Sequence, residues 1–229
     1  MHTLQHVEGV AESELADEDA ARLPGTSAPA PWATVLDAVV WFHRAAPGAA
    51  ERLPAALRRR PQLPVTVGAL IRYRDTPVGP YREVLASPSL LLGPRGPEAC
   101  VPFIAVDSLP SVHGGRENWA LPKTLARFDW PEQPRGGFEL DAEGRGWSVH
   151  ATVRPRRRRL PFAAISRNRQ VTPAGTEITF DSRWRGRARL ASVELETRGP
   201  TLPGWLCSGH HPALVLDGAR VVVRAAQPG

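Results

Sequence analysis

The stretch VTVGALIRY, residues 65–73, alternates between two sets of side chains. The odd-numbered positions are all apolar or aromatic, whereas the even-numbered positions include Thr66 and Arg72. Successive side chains of a strand point to opposite faces of a sheet, so this period of two predicts a β-strand with one face more strongly buried. A sheet is therefore the first structural expectation for this chain.

Further strand-like segments, rich in β-branched and aromatic residues, occur on both sides of this stretch and are divided by 24 prolines and 20 glycines. Helical patterns are confined to residues 49–59 and 111–119. This order favours a mainly β, α+β fold with a mostly antiparallel closed sheet over a fold of alternating strands and helices. The other predicted strands are 35–42, 81–92, 101–106, 146–153, 160–165, 177–184, 187–195 and 219–224.

The composition is that of one soluble domain. The chain has 229 residues, 42% of them hydrophobic, which is enough for a sizeable core. Residues 1–31 are acidic and then rich in Pro, Ala and Gly, which predicts a mobile N-terminal arm before a single domain over 32–229. No run approaches the roughly 18 consecutive apolar residues of a membrane span, and no signal-peptide pattern occurs. We therefore expect a cytoplasmic protein without a membrane partner.

A net charge of +6 raises the question of nucleic-acid binding. The main basic run, residues 154–159, separates two predicted strands and contains no interleaved aromatic residue. No nucleic-acid fold signature accompanies it, so a solvated hairpin or loop is favoured and no nucleic-acid partner is expected.

Metal and cofactor sites lack sequence support. The two cysteines, Cys100 and Cys207, are far apart and have no metal-ligand spacing. His210 and His211 are adjacent, so on a strand they point to opposite faces and do not share a metal. Because no Walker loop or dinucleotide fingerprint is present either, we expect neither a metal nor a cofactor.

Lys123 is the single lysine of a chain with 29 lysine and arginine residues in total. An arginine stays protonated at any workable pH, whereas a desolvated lysine amine can lose its proton and attack a carbonyl. The surrounding segment GRENWALPKTL, residues 115–125, is largely apolar, and burial of that kind lowers the pKa of a lysine. Pro122 favours a junction between a short helix and a strand at this point. The sequence therefore predicts Lys123 as a nucleophile.

Three segments resemble the acetoacetate decarboxylase family. In residues 115–123 the pattern Gly-Arg-Glu-x-x-x-x-Pro-Lys is similar to the family segment whose lysine forms a Schiff base with the substrate ketone. Residues 79–83, GPYRE, are similar to the family's Gly-x-Tyr-x-Glu segment, whose glutamate lies in the active site. Residues 184–190, WRGRARL, are similar to its Trp-x-Gly-x-x-Arg-Leu strand. The resemblance extends from about residue 35 to the C-terminus.

This resemblance implies a closed, antiparallel, cone-like β-barrel with a few short helices, whose interior holds the lysine, and it implies a homo-oligomer. Lys123 is then the Schiff-base residue, and Glu83 is a catalytic carboxylate that moves protons to and from the imine intermediates. The alternative for Glu83 is a strand-edge carboxylate paired with Arg82 or Arg74. The remaining candidates for substrate binding or for orienting the site are Tyr81, Arg116, Glu117, Trp119 and His113.

Three of these candidates have simpler structural readings, which are favoured. Arg116 and Glu117 can form an ion pair that holds the helix before Lys123 instead of orienting the site. His113, next to two glycines, can be an exposed loop histidine instead of an acid or base.

The chain departs from the family at three positions. Thr124 occupies the place of a second lysine that follows the Schiff-base lysine in the decarboxylases. Near residue 35 and near residues 68–69 the chain lacks the family's active-site arginine and second glutamate.

The resemblance implies a lyase that decarboxylates a small keto acid, its carbonyl substrate, through an imine on Lys123. The absence of the family's arginine and second glutamate favours an alternative in which the same imine supports aldol condensation, dehydration or hydration of a keto acid. A third hypothesis is a non-catalytic barrel that binds a small molecule.

Overall fold

The computed structural model describes residues 6–131 and 136–229. These residues form a mainly β structure with two α-helices, α1 (Asp17–Ala20) and α2 (Leu109–Trp119). Short 3₁₀ helices span Ala11–Ser13, Ala49–Arg52, Ala55–Leu57 and Leu202–Gly204. The strands are β1 (Trp32–Arg44), β2 (Gln62–Leu63), β3 (Val65–Asp75), β4 (Tyr81–Ser87), β5 (Leu90–Gly93), β6 (Gly96–Ala99), β7 (Phe103–Val106), β8 (Thr124–Leu125), β9 (Arg127–Asp129), β10 (Phe138–Gly144), β11 (Trp147–Pro155), β12 (Leu160–Val171), β13 (Glu177–Arg198), β14 (Gly209–Val223) and β15 (Gln227–Pro228).

All of these strands belong to one sheet. Its main path runs β2-β5-β6-β12-β13-β14-β1-β3-β4-β7-β8, with β10, β11, β9 and β15 attached beside it. The pairs along the path are antiparallel except β6 with β12 and β7 with β8.

The expected closed barrel is not supported, because no hydrogen-bonded pair joins the two ends of this path within the described residues. The end strands β2 and β8 have two residues each. The mainly β prediction with few helices is confirmed.

The longest strand, β13, pairs with different strands along its two halves. Its N-terminal half pairs with β12 and its C-terminal half with β11, while β14 runs along its other edge. The sequence predicted two strands here. The structure has one, with a register shift against β14 between Arg185 and Arg187, where Gly186 allows the local irregularity.

Other predicted elements are confirmed with shifted ends. Residues 35–42 and 65–73 lie in β1 and β3, and residues 111–119 lie in α2. The predicted strand 81–92 divides into β4 and β5 around Pro88. The predicted helix over 49–59 is wrong, because it consists of two 3₁₀ turns with Pro54, which lacks an amide donor, between them.

The basic run is exposed, as expected. Arg154 lies near the C-terminal end of β11, and residues 156–159 connect β11 to β12. These two strands do not form a hairpin with each other, since both pair with β13.

Residues 6–31 pack against the domain, whereas the composition predicted a mobile arm. Val10 and Leu15 are buried. The buried Glu12 carboxylate accepts hydrogen bonds from the backbone N–H groups of Thr201 and Leu202, at 2.6 and 2.9 Å. These tertiary contacts hold a segment whose polar composition gives no periodic signal. The first five residues of the predicted arm lie outside the described residues.

Both faces of the central strands β14, β1, β3 and β4 are covered. The filled face, in contact with β10, β11 and the C-terminal half of β13, is formed by Val39, Trp41, Leu70, Val84 and Val215. The cavity face, on the opposite side of the same strands, is formed by Val40, Phe42, Val67, Leu85 and Leu214. The prediction that one face of β3 is more strongly buried is wrong, because buried residues lie on both faces: Thr66 and Leu70 on one, Ala69 and Ile71 on the other.

Of the described helices, none combines the length and the apolar character that crossing a bilayer requires.

Candidate active site

Lys123 lies where α2 turns back toward the sheet. The helix begins at a Ser108 cap and ends before Ala120, whose φ of 49° lies in the left-handed region. The Leu121 N–H then donates to the Gly115 carbonyl oxygen at 3.1 Å, which closes the helix end. Lys123 follows at the first position before β8. This reversal directs the lysine side chain back along α2.

Gly115 provides the space for that side chain. A Cβ atom at this position would stand 2.5 Å from Lys123 Cδ and 2.6 Å from Cε. Real Cβ atoms do not approach other atoms so closely, so any larger residue at position 115 displaces the lysine stem. The glycine, which is unfavourable inside a helix, is thus explained by packing against the amine-bearing side chain.

Arg116 holds the backbone of the lysine. Its Nε donates to the Lys123 carbonyl oxygen at 2.7 Å, and a second guanidinium nitrogen donates to the Ser13 carbonyl oxygen at 3.4 Å. Burial lowers the pKa of Arg116 to about 10. Arg116 therefore positions Lys123 and ties the N-terminal segment to the site.

The Lys123 amine forms a buried polar cluster with Glu83 and Ser111. Its Nζ lies 2.7 Å from Glu83 Oε2 and donates to Ser111 Oγ at 3.0 Å. Lys123 is 3% exposed and Glu83 2%. Water is largely excluded, so the charges of the pair interact with little screening.

Two tyrosines complete this cluster, and they are the only tyrosines of the chain. Tyr73 donates from its hydroxyl to Glu83 Oε1 at 3.3 Å. Tyr81 stacks on Tyr73 with ring centroids 4.4 Å apart, and Lys123 Nζ lies 5.0 Å from the Tyr81 centroid. The Glu83 carboxylate therefore has a partner on each oxygen, and the ammonium lies near an aromatic ring.

The pKa of Lys123 is raised above its usual value. Burial is the largest single influence and acts to lower this pKa, but the Glu83 carboxylate and Tyr81 together outweigh it. The expectation of a pKa lowered by desolvation is therefore wrong, because the sequence did not show the carboxylate beside the amine. Burial raises the pKa of Tyr81 to about 12 and that of Tyr73 well above its usual value.

A cavity of about 360 Å³ lies against this cluster. Strands β4 and β12 both line it although four strands separate them along the sheet, so the sheet curls around the cavity. Most of the lining side chains are aliphatic or aromatic. Lys123 and Glu83 therefore form a polar pair at the wall of an apolar cavity.

Four of the predicted site residues line this cavity: Lys123, Glu83, Tyr81 and Trp119. The Trp119 indole donates to the Arg224 carbonyl oxygen at 2.7 Å, which fixes its ring in the wall. The alternative for Glu83 is wrong, because Arg82 pairs with Asp107 and Arg74 with Asp37.

Three predicted residues lie outside the cavity: Arg116, Glu117 and His113. His113 is buried on α2, not exposed in a loop, and its Nδ1 lies 2.6 Å from the Pro24 carbonyl oxygen. Its Nε2 lies 3.5 Å from the Glu117 carboxylate, whose side chain is half exposed. These two residues therefore fasten the N-terminal segment to the outer side of α2.

The sequence reading missed Ser111, Tyr73 and Gly115 as site residues. Tyr73 was visible as the last inward position of the alternating stretch 65–73. Gly115 was visible as a glycine inside a predicted helix, eight residues before the lysine. Ser111 gave no signal of its own, because its contact with Lys123 depends on the reversal after α2.

The residues at the positions where the chain departs from the family carry no charge. The Thr124 hydroxyl donates to the Glu14 carbonyl oxygen at 2.9 Å, so it binds the N-terminal segment. Ala69 lines the cavity, whereas Val35 and Gly68 do not. Among the described lining residues the charged ones are Glu83, Lys123 and Arg167.

The cysteines and histidines do not gather around the site. Both cysteines have free thiols, and Cys100 is buried. His211 Nε2 lies 2.7 Å from the Cys207 carbonyl oxygen, and His210 is largely exposed. Across residues 6–131 and 136–229, no group of three or more His, Cys, Asp or Glu side chains has a geometry that could hold a metal ion.

Solved structures of several acetoacetate decarboxylases and related enzymes have the same fold. One acetoacetate decarboxylase structure gives a TM-score of 0.67 at 13% identity, covering 94% of this chain and 98% of that chain. The acetoacetate decarboxylase of Legionella pneumophila gives 0.65 at 16% identity, covering 97% and 96%. The enduracididine biosynthesis enzyme MppR, complexed with the condensation product of pyruvate and imidazole 4-carboxaldehyde, gives 0.59 at 15% identity, covering 88% and 90%.

Sequence comparison gives the family directly. No curated protein is significantly similar to this chain. The family model described as acetoacetate decarboxylase (ADC), however, matches residues 20–183, which is well over half of the chain. This match includes Glu83 and Lys123. The chain therefore belongs to the acetoacetate decarboxylase family.

Proposed function

We propose that this protein is a lyase that decarboxylates a keto acid through a Schiff base on Lys123. The observation that carries the proposal is the 2.7 Å contact between Lys123 Nζ and Glu83 Oε2 at the wall of an apolar cavity. An amine next to a proton acceptor, with space for a carbonyl compound beside it, has the parts that imine formation requires. Membership of a family named for a decarboxylase supports an enzyme.

Glu83 moves the protons of imine formation. It accepts a proton from the Lys123 ammonium, which frees the nitrogen lone pair to add to the ketone carbon. The resulting carbinolamine loses its oxygen as water when Glu83 returns the proton to that oxygen. Transfer within the pair is compatible with the raised pKa of Lys123, because it converts two buried charged groups into two neutral ones and releases no proton into solvent.

The protonated imine then withdraws electrons from the neighbouring carbon–carbon bond. That bond breaks, CO₂ leaves, and the electron pair forms an enamine. Protonation of the enamine carbon and hydrolysis of the imine release the ketone and restore Lys123. An apolar cavity favours the step in which the negative carboxylate becomes neutral CO₂, since charge is poorly solvated there.

Borohydride trapping tests the imine. The protein is incubated with a panel of keto acids and ketones that includes acetoacetate and pyruvate, reduced, and analysed by intact mass and peptide mapping. Lys123 is the single lysine, so the competing amine is the N-terminal α-amino group. We expect a reduced adduct on the peptide that contains Lys123, together with CO₂ release from the β-keto acid.

The matched variant is Lys123→Arg, which keeps a cation beside Glu83 but cannot form an imine. It should remain folded and lose the adduct and CO₂ release together. A folded wild-type protein without any adduct would contradict the proposal and favour a cavity that binds its ligand without turnover. CO₂ release that persists in Lys123→Arg would contradict it as well.

A second candidate is aldol condensation, dehydration or hydration of a keto acid by the same imine. The uncharged residues Val35, Gly68 and Ala69, near which the family has an active-site arginine and a second glutamate, favour this candidate. The fold likeness to MppR, whose structure contains a condensation product of pyruvate, is consistent with it. Pyruvate supplied with an aldehyde separates the two: a condensation product without CO₂ release supports the second candidate.

A further inference from the structure

We infer that the carbonyl substrate carries a bulky apolar group, an extended alkyl chain or an aromatic ring, and that a compound as small as acetoacetate is a poor substrate. This inference rests on the proposed function, because it places the carbonyl carbon at Lys123. It adds the chemical class of the remainder of the molecule.

The cavity exposes apolar surface that the protein does not cover itself. Phe42, Val67, Leu85, Phe162 and Leu214 point into the interior of the curled sheet, yet each stays partly exposed because the cavity reaches it. Contiguous apolar surface of this kind in a folded protein marks a binding site for an apolar group. The substrate's tail would remove this surface from water.

Three of the polar lining groups near this surface, the hydroxyls of Thr34, Ser87 and Ser166, already have partners. The Thr34 hydroxyl donates to the Val221 carbonyl oxygen at 3.1 Å, and the Ser87 hydroxyl donates to the Ser89 carbonyl oxygen at 2.8 Å. Ser166 Oγ accepts a hydrogen bond from the Trp184 indole at 2.9 Å. A polar tail would lose its hydration there without regaining equivalent hydrogen bonds.

Charged side chains are few in the cavity lining. Of the three charged side chains that line the described part of the cavity, Lys123 and Glu83 neutralise each other. Arg167 belongs to β12, and its Nε is buried without a hydrogen-bond partner among the described residues, while the nearby carboxylates of Asp181 and Glu98 pair with Arg95 and Arg169. Apart from Arg167 on β12, the described lining therefore offers no unpaired cation for a second carboxylate.

The volume of the cavity also favours a substrate larger than acetoacetate. A volume of about 360 Å³ lies within the range of pockets that enclose drug-sized molecules. One water molecule occupies about 30 Å³ of liquid, so a four-carbon keto acid would leave most of this volume to water against apolar walls. Filling that volume with an apolar tail is the more favourable arrangement.

A series of methyl ketones tests the inference, because these are the products of β-keto acid decarboxylation and are stable in solution. The series runs from acetone through linear ketones of increasing length to one with a phenyl group, each trapped with borohydride on Lys123. We expect the concentration needed for half-maximal trapping to fall about fourfold for each added methylene until the cavity is filled. The kcat/KM for the matching β-keto acids should rise in parallel.

Neighbouring alanines on β12 give a matched pair of variants. Both alanines are exposed, but Ala164 lines the cavity and Ala163 does not. Ala164→Trp narrows the cavity away from Lys123, so the preference for long over short ketones should fall at least tenfold. Ala163→Trp adds the same side chain to the outer surface and should keep the wild-type preference.

The possible outcomes distinguish a failure of the apolar-tail inference from a failure of the Schiff-base proposal. Trapping of acetone as effective as that of the longer ketones would overturn the apolar tail and leave the Schiff base intact. Trapping of no ketone, short or long, by the folded protein would overturn both. A chain-length preference that Ala164→Trp does not change would overturn the assignment of the tail to this cavity.

Discussion

The two faces of the central strands differ in what they contact, although both are apolar. On β1, Val39 and Trp41 point to the filled face and are 1% and 0% exposed, whereas Val40 and Phe42 point to the cavity face and stay partly exposed. The same alternation continues on β4, where Val84 is completely buried and its neighbour Leu85 is not.

The difference follows from what covers each face. The filled face packs against β10, β11 and the C-terminal half of β13, whose side chains interdigitate with it. The cavity face lies opposite β12 and the N-terminal half of β13 in the curled sheet, and the cavity separates the two sides. One face thus contributes stability, and the other presents the Lys123–Glu83 pair to a ligand. Substitutions on the two faces should therefore have separable effects.

Two tryptophans on opposite sides test this separation with the largest expected effect. Trp41→Ala removes a completely buried ring from the filled face and should lower the free energy of unfolding by about 3–5 kcal/mol. Trp184→Ala removes a ring that borders the cavity and should lower it by only about 1–2 kcal/mol. Urea unfolding followed by tryptophan fluorescence measures both. Equal losses would mean that the cavity wall is packed as tightly as the filled face.

Glu83→Gln tests the polar pair on the cavity face. Loss of the proton acceptor should lower kcat by about 10²–10⁴-fold. With the carboxylate gone, burial dominates and the pKa of Lys123 falls below its wild-type value, so the alkaline midpoint of borohydride trapping should move to lower pH. The pH profiles of trapping and of initial rate measure both effects.

Glu98→Gln is the matched control. Glu98 is also 2% exposed and also accepts from a cation, Arg169 Nε, at 2.6 Å, but it does not line the cavity. This variant should lower stability and leave the pH midpoint of trapping unchanged. An unchanged midpoint in Glu83→Gln, or a shifted one in Glu98→Gln, would contradict the assignment.

The Lys123–Glu83 pair also makes the free energy of unfolding depend on pH, and the direction follows from the raised pKa of the lysine. The pKa of Lys123 in the folded protein lies above its usual value of 10.5, so the contribution of the pair is fully present below that pH. It is lost as the pH rises through the folded-state pKa. The wild type should therefore lose more stability than Glu83→Gln at strongly alkaline pH.

The sequence predicted the strands and the nucleophile because both depend on local patterns. The alternation over residues 65–73 identified β3 and its inward positions, among them Tyr73. The isolation of the only lysine, followed by the family motif around it, identified Lys123. Local signals of this kind survive without knowledge of the tertiary structure.

The open sheet and the cavity could not be predicted in the same way. An apolar side chain that faces a packed layer and one that faces an empty interior give the same period of two. The difference lies in which strands cover them, and that is set by long-range pairing such as β12 with β13. The contact between Glu83 and Lys123 joins residues 40 positions apart, so the raised pKa of the lysine was equally invisible.

Gly115→Ala tests how precisely α2 places the amine on the cavity face. The added Cβ would overlap with the Lys123 stem, whose Cδ lies 2.5 Å away. Displacement of a reacting group by about 1 Å can cost about 10²-fold, so we expect trapping to slow by about 10–100-fold. Alanine favours a helix by about 1 kcal/mol over glycine, so stability should change little.

Gly204→Ala is the control for this substitution, because nothing lies within 4 Å of a Cβ at that position. It should leave both trapping and stability near the wild-type values. A Gly115→Ala variant that traps ketones at the wild-type rate would show that the lysine stem has room that the structure does not indicate.

The pKa values of the two tyrosines indicate how far water is excluded from the cavity face. Burial raises the pKa of Tyr81 from 10.0 to about 12, and that of Tyr73 well above its usual value. Since the chain contains no other tyrosine, tyrosinate absorbance arises from these two residues alone. The folded protein should therefore show almost no tyrosinate at pH 10–11, whereas the urea-unfolded chain should titrate near 10.

Tyr73→Phe leaves Tyr81 as the single reporter and should keep a midpoint of about 12. Because the folded chain holds these protons to higher pH than the unfolded chain, stability should fall as the pH rises from about 10 through that midpoint. A folded protein that forms tyrosinate near pH 10 would mean that water solvates the phenol groups. The cavity face would then be wet, and the contrast between an apolar binding surface and the filled face would lose its physical basis.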